Sequence, residues 1–389
     1  MPVINSIAAL EAEMAGWRRH LHAHPELGLA CHETAQFVVE RLRAAGITEI
    51  HQGIATSGVV AIIEGRAPGR TIGLRADMDA LPMEDLSGTP HASTVPGCAH
   101  ACGHDGHTTM LLGAAQYLAR TRNFAGRVAL IFQPAEEAEG GGRIMVEEGI
   151  MERFDIAEVY GLHNTPGLEE GTFHTNSGTL LAGVDEFTIV VRGVGGHGAT
   201  PQETSDPVLC AAAMVMALQS IVARNVNALD RLVLSVTQIH TGTTSNIIPD
   251  KAHVNGTVRY FEPEVQEVVR ARMADLVTFQ AKSFGMGAEL DYEVGYPPTV
   301  NHAAQAAFAA EVAREVVGAD KVDADTPPIT PGEDFAYMLQ ARPGAYLFVG
   351  QGDTPGCHHP AYDFNDRIAP VGASFFARLI ERALPLDRG

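Results

Sequence analysis

Three short apolar runs in the first half of the chain end abruptly in polar, chemically capable residues. The runs near 71–75, 127–132 and 158–162 lead into RADMD (75–79), QPAEE (133–137) and LHN (162–164). With an earlier run at 58–63, they alternate with amphipathic stretches near 9–21, 33–45 and 107–120, an α/β pattern. Sites in such sheets lie beyond the carboxyl ends of the strands, so the residues after each run are the candidate chemistry.

From about 184 to 295 the texture changes. The pattern predicts a strand (186–193), a helix (206–223), two strands (232–239 and 252–260), a helix (264–284) and a last strand (288–294). That order is β-α-β-β-α-β, the ferredoxin-like arrangement. Helices at 302–317, 333–340 and 370–384 and a strand at 345–350 then return to the first texture, with GYPPTVN (295–301) marking the boundary. The expected organisation is a larger α/β domain in two parts, 1–183 and 298–389, interrupted by a smaller domain at 184–297. A chain of 389 residues exceeds what one core usually holds, in keeping with two domains.

With 46% hydrophobic and 19% charged residues the chain has ample material for a core. Apolar runs such as VALIF (128–132) and GVVAII (58–63) are far shorter than the roughly 20 residues of a membrane span, so no membrane is expected as a partner. The N-terminus shows no basic segment followed by an apolar one and a cleavage site, and a cytoplasmic location is the expectation. Five scattered cysteines fit reduced thiols better than a disulfide framework. A net charge of −20 argues against nucleic acid as a partner.

The densest cluster is HACGHDGH (100–107), in which Cys102 and His104 are plausible ligands for zinc or a related ion. A structural zinc knuckle using Cys98 and Cys102 is the alternative, but no second cysteine pair exists to close it. His107 opens a helix and is read as structural. In QPAEE two adjacent carboxylates allow Glu137 to bind metal and Glu136 to remain a general base; an exposed acidic turn is the competing reading. Asp77 and Asp79, two apart on an extended segment, face the same way and can orient a ligand from behind. His163 and the pair His358 and His359 also follow strands. In the smaller domain, His197 sits among glycines, and Asn246 and Arg259 could bind a carbonyl and a carboxylate.

Taken together, HACGHDGH, QPAEE, GLHN, GGHGATP, NIIPD, GEDF and HPAYDFND resemble the M20 metallopeptidase family, in its branch of hippurate hydrolases, N-acyl-amino-acid deacylases and auxin-conjugate hydrolases. The resemblance starts at RRHLHAHPELG (18–28) and covers nearly the whole chain. It implies a zinc-peptidase-like catalytic domain with an inserted lid and dimerisation domain. It also implies two divalent ions, with zinc first and manganese, cobalt or nickel as alternatives. Cys102, His104, Glu137, His163 and His358 are the implied ligands: Cys102 bridges, His104 and His163 complete one site, and Glu137 and His358 the other. Glu136 is the implied base, Asp79 a support, His197 the lid histidine at the scissile carbonyl, and Asn246 and Arg259 substrate contacts. The chain departs from the family at Asp77, where other branches have an HxD motif, at Gln202 after Pro201, and at His359 beside His358. The implied activity is hydrolysis of N-acyl amino acids by a homodimer or larger assembly; a dipeptidase or carboxypeptidase of the same design is the rival.

Overall fold

The computed structural model describes residues 3–386. Helices α1 (Glu11–Ala23) and α2 (His32–Ala44) precede strands β1 (Glu49–Ile54), β2 (Gly58–Glu64) and β3 (Ala67–Asp77). Helix α3 (His104–Thr121) and strands β4 (Ala125–Gln133) and β5 (Ile156–Pro166) follow. Next come β6 (Gly183–Arg192), α4 (Pro207–Arg224), β7 (Leu232–Thr241), β8 (Lys251–Tyr260), α5 (Pro263–Ser283) and β9 (Gly287–Val294). The chain finishes with α6 (Ala303–Val317), α7 (Phe335–Ala341), β10 (Gly344–Gly352) and α8 (Ala369–Ala383).

Two compact units result. The first holds residues 1–180, 300–327 and 334–389, and the second 181–299 with 328–333. Segment 328–333 is a difference from the sequence reading, which assigned everything after 297 to the larger domain. Its backbone explains the placement: Ala182 N–H donates to the Ile329 carbonyl at 3.1 Å, and Thr299 Oγ1 donates to the Glu333 carbonyl.

In the first unit the sheet runs β1-β2-β4-β3-β5-β10 and is extended by the two-residue strands Phe173–His174 and Val322–Asp323. Strands β4, β3, β5 and β10 are mutually parallel, with Asp77 opposite Gln133 and Phe348 opposite His163. Their carboxyl ends therefore open on one edge of the sheet. Every residue of β4 from Val128 to Gln133 is buried, which is why this stretch reads as continuous apolar sequence rather than an alternation. Strand β1 was not legible because only Ile54 is buried in it.

Helix α3 lies against this sheet with all of His104–Ala115 buried. It begins one turn earlier than its apolar pattern indicates. Gly103 ends the preceding loop at φ 101°, and a Cβ there would come within 2.1 Å of Asn164 Oδ1, so only glycine lets the helix start at His104.

The second unit is an antiparallel sheet in the order β7-β8-β6-β9, with α4 and α5 supplying the other side of its core. Strand order and connections are those of a ferredoxin-like domain. Its α4 has a mean hydropathy of 1.6 and the length of a membrane-crossing helix. Here Cys210, Met214, Leu218 and Ile221 on one face of it join the core instead.

Beneath the open edge of the larger sheet lies a buried ionic network. Arg75 donates to Gln133 Oε1 at 2.9 Å, Asp77 Oδ2 at 2.6 Å and Asp334 Oδ1 at 3.0 Å. Gln133 and the Gly142 N–H also donate to Asp334, which ties the ends of β3 and β4 to the start of α7. Removing one partner of a buried ion pair strands the others, typically at about 3–5 kcal/mol. Arg75→Met is expected to lower the urea or thermal unfolding midpoint of the metal-free protein, with a loss of unfolding free energy of about 3–5 kcal/mol. An unchanged midpoint would show that the network adds nothing to stability.

Candidate metal centre

The carboxyl-end half of β5 and the segments beyond the other parallel strands each deliver candidate donors or their supports. Strand β3 passes into Asp79, whose Oδ1 accepts from His104 Nδ1 at 3.3 Å while Oδ2 accepts the Glu137 N–H at 3.0 Å. One carboxylate thus fixes a ring and a neighbouring loop, and it turns His104 Nε2 inward. From β5 comes His163, whose Nδ1 donates to the Asn164 carbonyl at 2.5 Å, leaving Nε2 3.4 Å from Cys102 Sγ. His358 follows β10 at φ 64°, a conformation rare for non-glycine residues. Its N–H donates to the Ala101 carbonyl at 2.7 Å, which seats it beside Cys102 with Nε2 3.4 Å from Glu137 Oε1.

Two donor triples emerge, with ligand atoms within 4.8 Å of one another: Cys102, His104 and His163, and Cys102, Glu137 and His358. They share the Cys102 thiol. A third group joins His104, Glu136 and Glu137, and a fourth Asp77, His104 and His107. Cys98 and His359 enter none of these groups among the described residues. His359 Nδ1 instead accepts the Ala361 N–H at 3.0 Å.

The donor set suits a transition metal. His104 Nε2 and Glu137 Oε1 are buried, 3.8 Å apart, and make no hydrogen bond among the described residues, an arrangement that costs free energy unless a cation completes it. Burial, and then the neighbouring His107, push the His163 imidazole down to about 3, so it is neutral at pH 7 with a free lone pair. At His104 burial disfavours charge, but Asp77, Asp79 and Glu137 outweigh it and raise the ring well above its ordinary value. These carboxylates demand positive charge at this spot, and an ion can supply what the proton supplies in its absence. Hydrogen bonding to Cys357, then burial, hold the Cys102 thiol well above its usual range, so ligation must release a proton.

Other sequence candidates fall elsewhere. Asp77 is committed to Arg75 and to His107 Nδ1 at 2.6 Å, and His107 Nε2 meets Asn164 Oδ1 at 2.7 Å. His197 and Asn246 belong to the second unit. They share a small ribbon in which His197 is paired with Ile247 and the Gly198 N–H donates to the Asn246 carbonyl. Arg259 also lies there, on β8, donating to Thr257 Oγ1 and to the Val258 carbonyl.

Sequence reasoning missed the support beneath the donors. Asn164 Nδ2 donates to Gln351 Oε1 and Tyr362 Oη, joining β5 to β10 and the DFND loop. RRHLHAHPELG enters none of these donor groups among the described residues. Instead Arg18 binds Asp363 and Asp366, His22 binds Asp105 at 2.8 Å, and the Glu26 carbonyl accepts the Ala80 N–H beside Asp79. The one available signal was the spacing of Arg75 and Asp77 on one strand face.

Comparison with known proteins accords with this geometry. Residues 73–382 match the profile of Peptidase family M20/M25/M40. The chain is 40% identical over 372 residues to N-acetyl-L-cysteine deacetylase of Bacillus subtilis, covering 95% of this chain and 88% of the relative. It is 36% identical to hippurate hydrolase of Campylobacter jejuni, covering 97% and 98%. A crystal structure of a Bacillus subtilis protein described as a dinuclear metal binding peptidase from the M20 family superposes with a TM-score of 0.85. That pair is 33% identical over 97% of this chain and 99% of the other. With a match that takes in the greater part of its length, including every strand-end loop of the donor cluster, this chain belongs to peptidase family M20/M25/M40.

Proposed function

We propose that the protein hydrolyses the amide bond of N-acyl amino acids, releasing a carboxylic acid and a free amino acid. The observation that carries this reading is a second carboxylate, Glu136, within 4.8 Å of the donors of His104 and Glu137 yet outside both triples that share Cys102. Two divalent ions, zinc by the softness of the donors, would be held by those triples and would acidify a water and polarise the amide carbonyl. Glu136 takes the proton of the attacking water and returns it to the departing nitrogen. Asp79 keeps the His104 ring turned and the Glu137 backbone in place. His197 donates to the developing oxyanion, and Asn246 and Arg259 receive the amino acid's carbonyl and carboxylate. The names of the two relatives, a deacetylase and a hippurate hydrolase, support an acyl-amino-acid substrate. We place the enzyme in the cytoplasm, acting without nucleic acid or membrane.

We further propose a homodimer built through the second unit. Its two sheet edges differ: β9 carries Glu289, Asp291 and Glu293, whereas β7, LVLSVTQIHT, has no acidic or lysine or arginine residue. Charges on an edge strand discourage pairing, and their lack invites it. Helix α4, which covers β7 and β8, exposes Leu209 and Met216, the latter 74% accessible, seven residues apart on one face. Burying this apolar stripe and the open edge together favours a second copy of the chain as occupant.

Four outcomes follow. Elemental analysis after metal loading should give two ions per chain, and Cys102→Ser should weaken retention of both; loss of only one would break the proposed sharing. Glu136→Gln should cut turnover by about 10²- to 10⁴-fold with metal still bound, and near-normal turnover would remove Glu136 as the base. Across a panel of substrates, blocked amines should be cleaved in preference to free dipeptides, the reverse order favouring the peptidase reading. Finally, mixing His197→Ala chains with Glu136→Gln chains should restore activity on subunit exchange. Exchange without recovery would mean that His197 serves its own subunit or none.

A further inference from the structure

Of the five cysteines, Cys31, Cys98, Cys102 and Cys210 are buried, and Cys357 alone is partly open to solvent. Cys357 stands immediately before His358, and its Sγ lies 3.7 Å from the Cys102 carbonyl oxygen. The His358 N–H to Ala101 carbonyl bond runs alongside, so segments 101–102 and 357–358 are fastened together at the backbone. Gly356, next in line, has open space around it, which leaves the loop room to adjust. No step of the proposed hydrolysis uses Cys357. A second thiol held beside the residue whose sulfur both donor triples share is chemically consequential, because that sulfur can form either bonds to metal or a bond to its neighbour.

We infer that Cys102 and Cys357 are a dithiol that peroxides convert to a disulfide when the metal centre is empty, and that bound metal blocks the conversion. The more open Cys357 is the first to react: a peroxide O–O bond breaks, Cys357 becomes a sulfenic acid, and one water or alcohol leaves. Cys102 then attacks the Cys357 sulfur, forming S–S and expelling the sulfenic oxygen as water. Two thiol hydrogens and two electrons pass to the peroxide in total. The product removes the donor common to Cys102–His104–His163 and Cys102–Glu137–His358, so oxidation disables both positions through one bond and a thiol reductant restores them. This consequence rests on Cys102 as the shared donor; the cross-link itself does not.

The test treats full-length protein, stripped by a chelator or loaded with zinc, with hydrogen peroxide, followed by alkylation, intact mass and peptide mapping. Stripped protein should lose two hydrogens and yield one linked peptide containing Cys102 and Cys357, with three thiols still open to alkylation after unfolding and full reversal by dithiothreitol. Free zinc at about ten times its dissociation constant should slow the linkage about tenfold. Both Cys357→Ser and Cys357→Ala should give no linked peptide. Absence of the 102–357 peptide from stripped wild-type protein overturns the pair. Linkage at equal rates with and without zinc overturns the protection, and with it the place of Cys102 in the metal centre.

Discussion

A guanidinium removed from water must have its charge and its N–H groups answered by the protein, and Arg75 is 1% exposed. Asp77, Asp334 and Gln133 answer it, and each stands at the end of a different element. Because the partners must be present together, the ends of β3 and β4 and the start of α7 are held in one arrangement. The arrangement then propagates: Asp77 holds His107, His107 holds Asn164, and Asn164 holds Gln351 and Tyr362. A continuous polar layer crosses the carboxyl edge of the sheet. The donors stand beside this layer, with His104 Nε2 3.8 Å from Asp77 Oδ2.

The candidate metal centre depends on that rigidity in a specific way. Its candidate donors are a thiol, imidazoles and a carboxylate from four separate segments, and none is sequence-adjacent to its partners except through the Cys102-Gly103-His104 turn. Imidazole ligands need one nitrogen committed to a hydrogen bond so that the other faces the ion. His163 and His104 both satisfy this, through the Asn164 carbonyl and Asp79 respectively. The helix N-terminus at His104 and the Gly103 turn bring Cys102 and His104 into the same cluster at neighbouring positions. A side chain at Gly103 would strike Asn164 and destroy both the turn and the layer beneath it.

Much of the architecture was legible because burial imposes a pattern. The runs at β2, β3, β4 and β5 are apolar without alternation since both faces of those strands are covered, and the second unit announced itself through strand and helix periods in ferredoxin order. Elements too short to show a period left no such trace, namely the helix Gly141–Glu147 and the strands Phe173–His174 and Val322–Asp323, and neither did β1, which buries Ile54 alone. The inclusion of 328–333 in the second unit was equally hidden, because hydrogen bonds to its main-chain carbonyls hold it there and a carbonyl carries no residue-type signature.

By itself the sequence determined which chemistry was available. The residue types in HACGHDGH, QPAEE and HPAYDFND restrict the chain to thiolate, imidazole and carboxylate ligation, and their positions after apolar runs put them at strand ends. What only the tertiary structure decided was which of these groups meet. Three histidines crowd the 100–107 segment, yet His104 faces the donors, His107 is turned into the sheet layer, and both ring nitrogens of His100 are buried without partners. His358 and His359 are adjacent and chemically identical, and a backbone bond to Ala101 with a left-handed φ selects the first. Identity and spacing are local properties of the chain, whereas the direction of a side chain depends on helix phase, loop conformation and the neighbours that fill the remaining space.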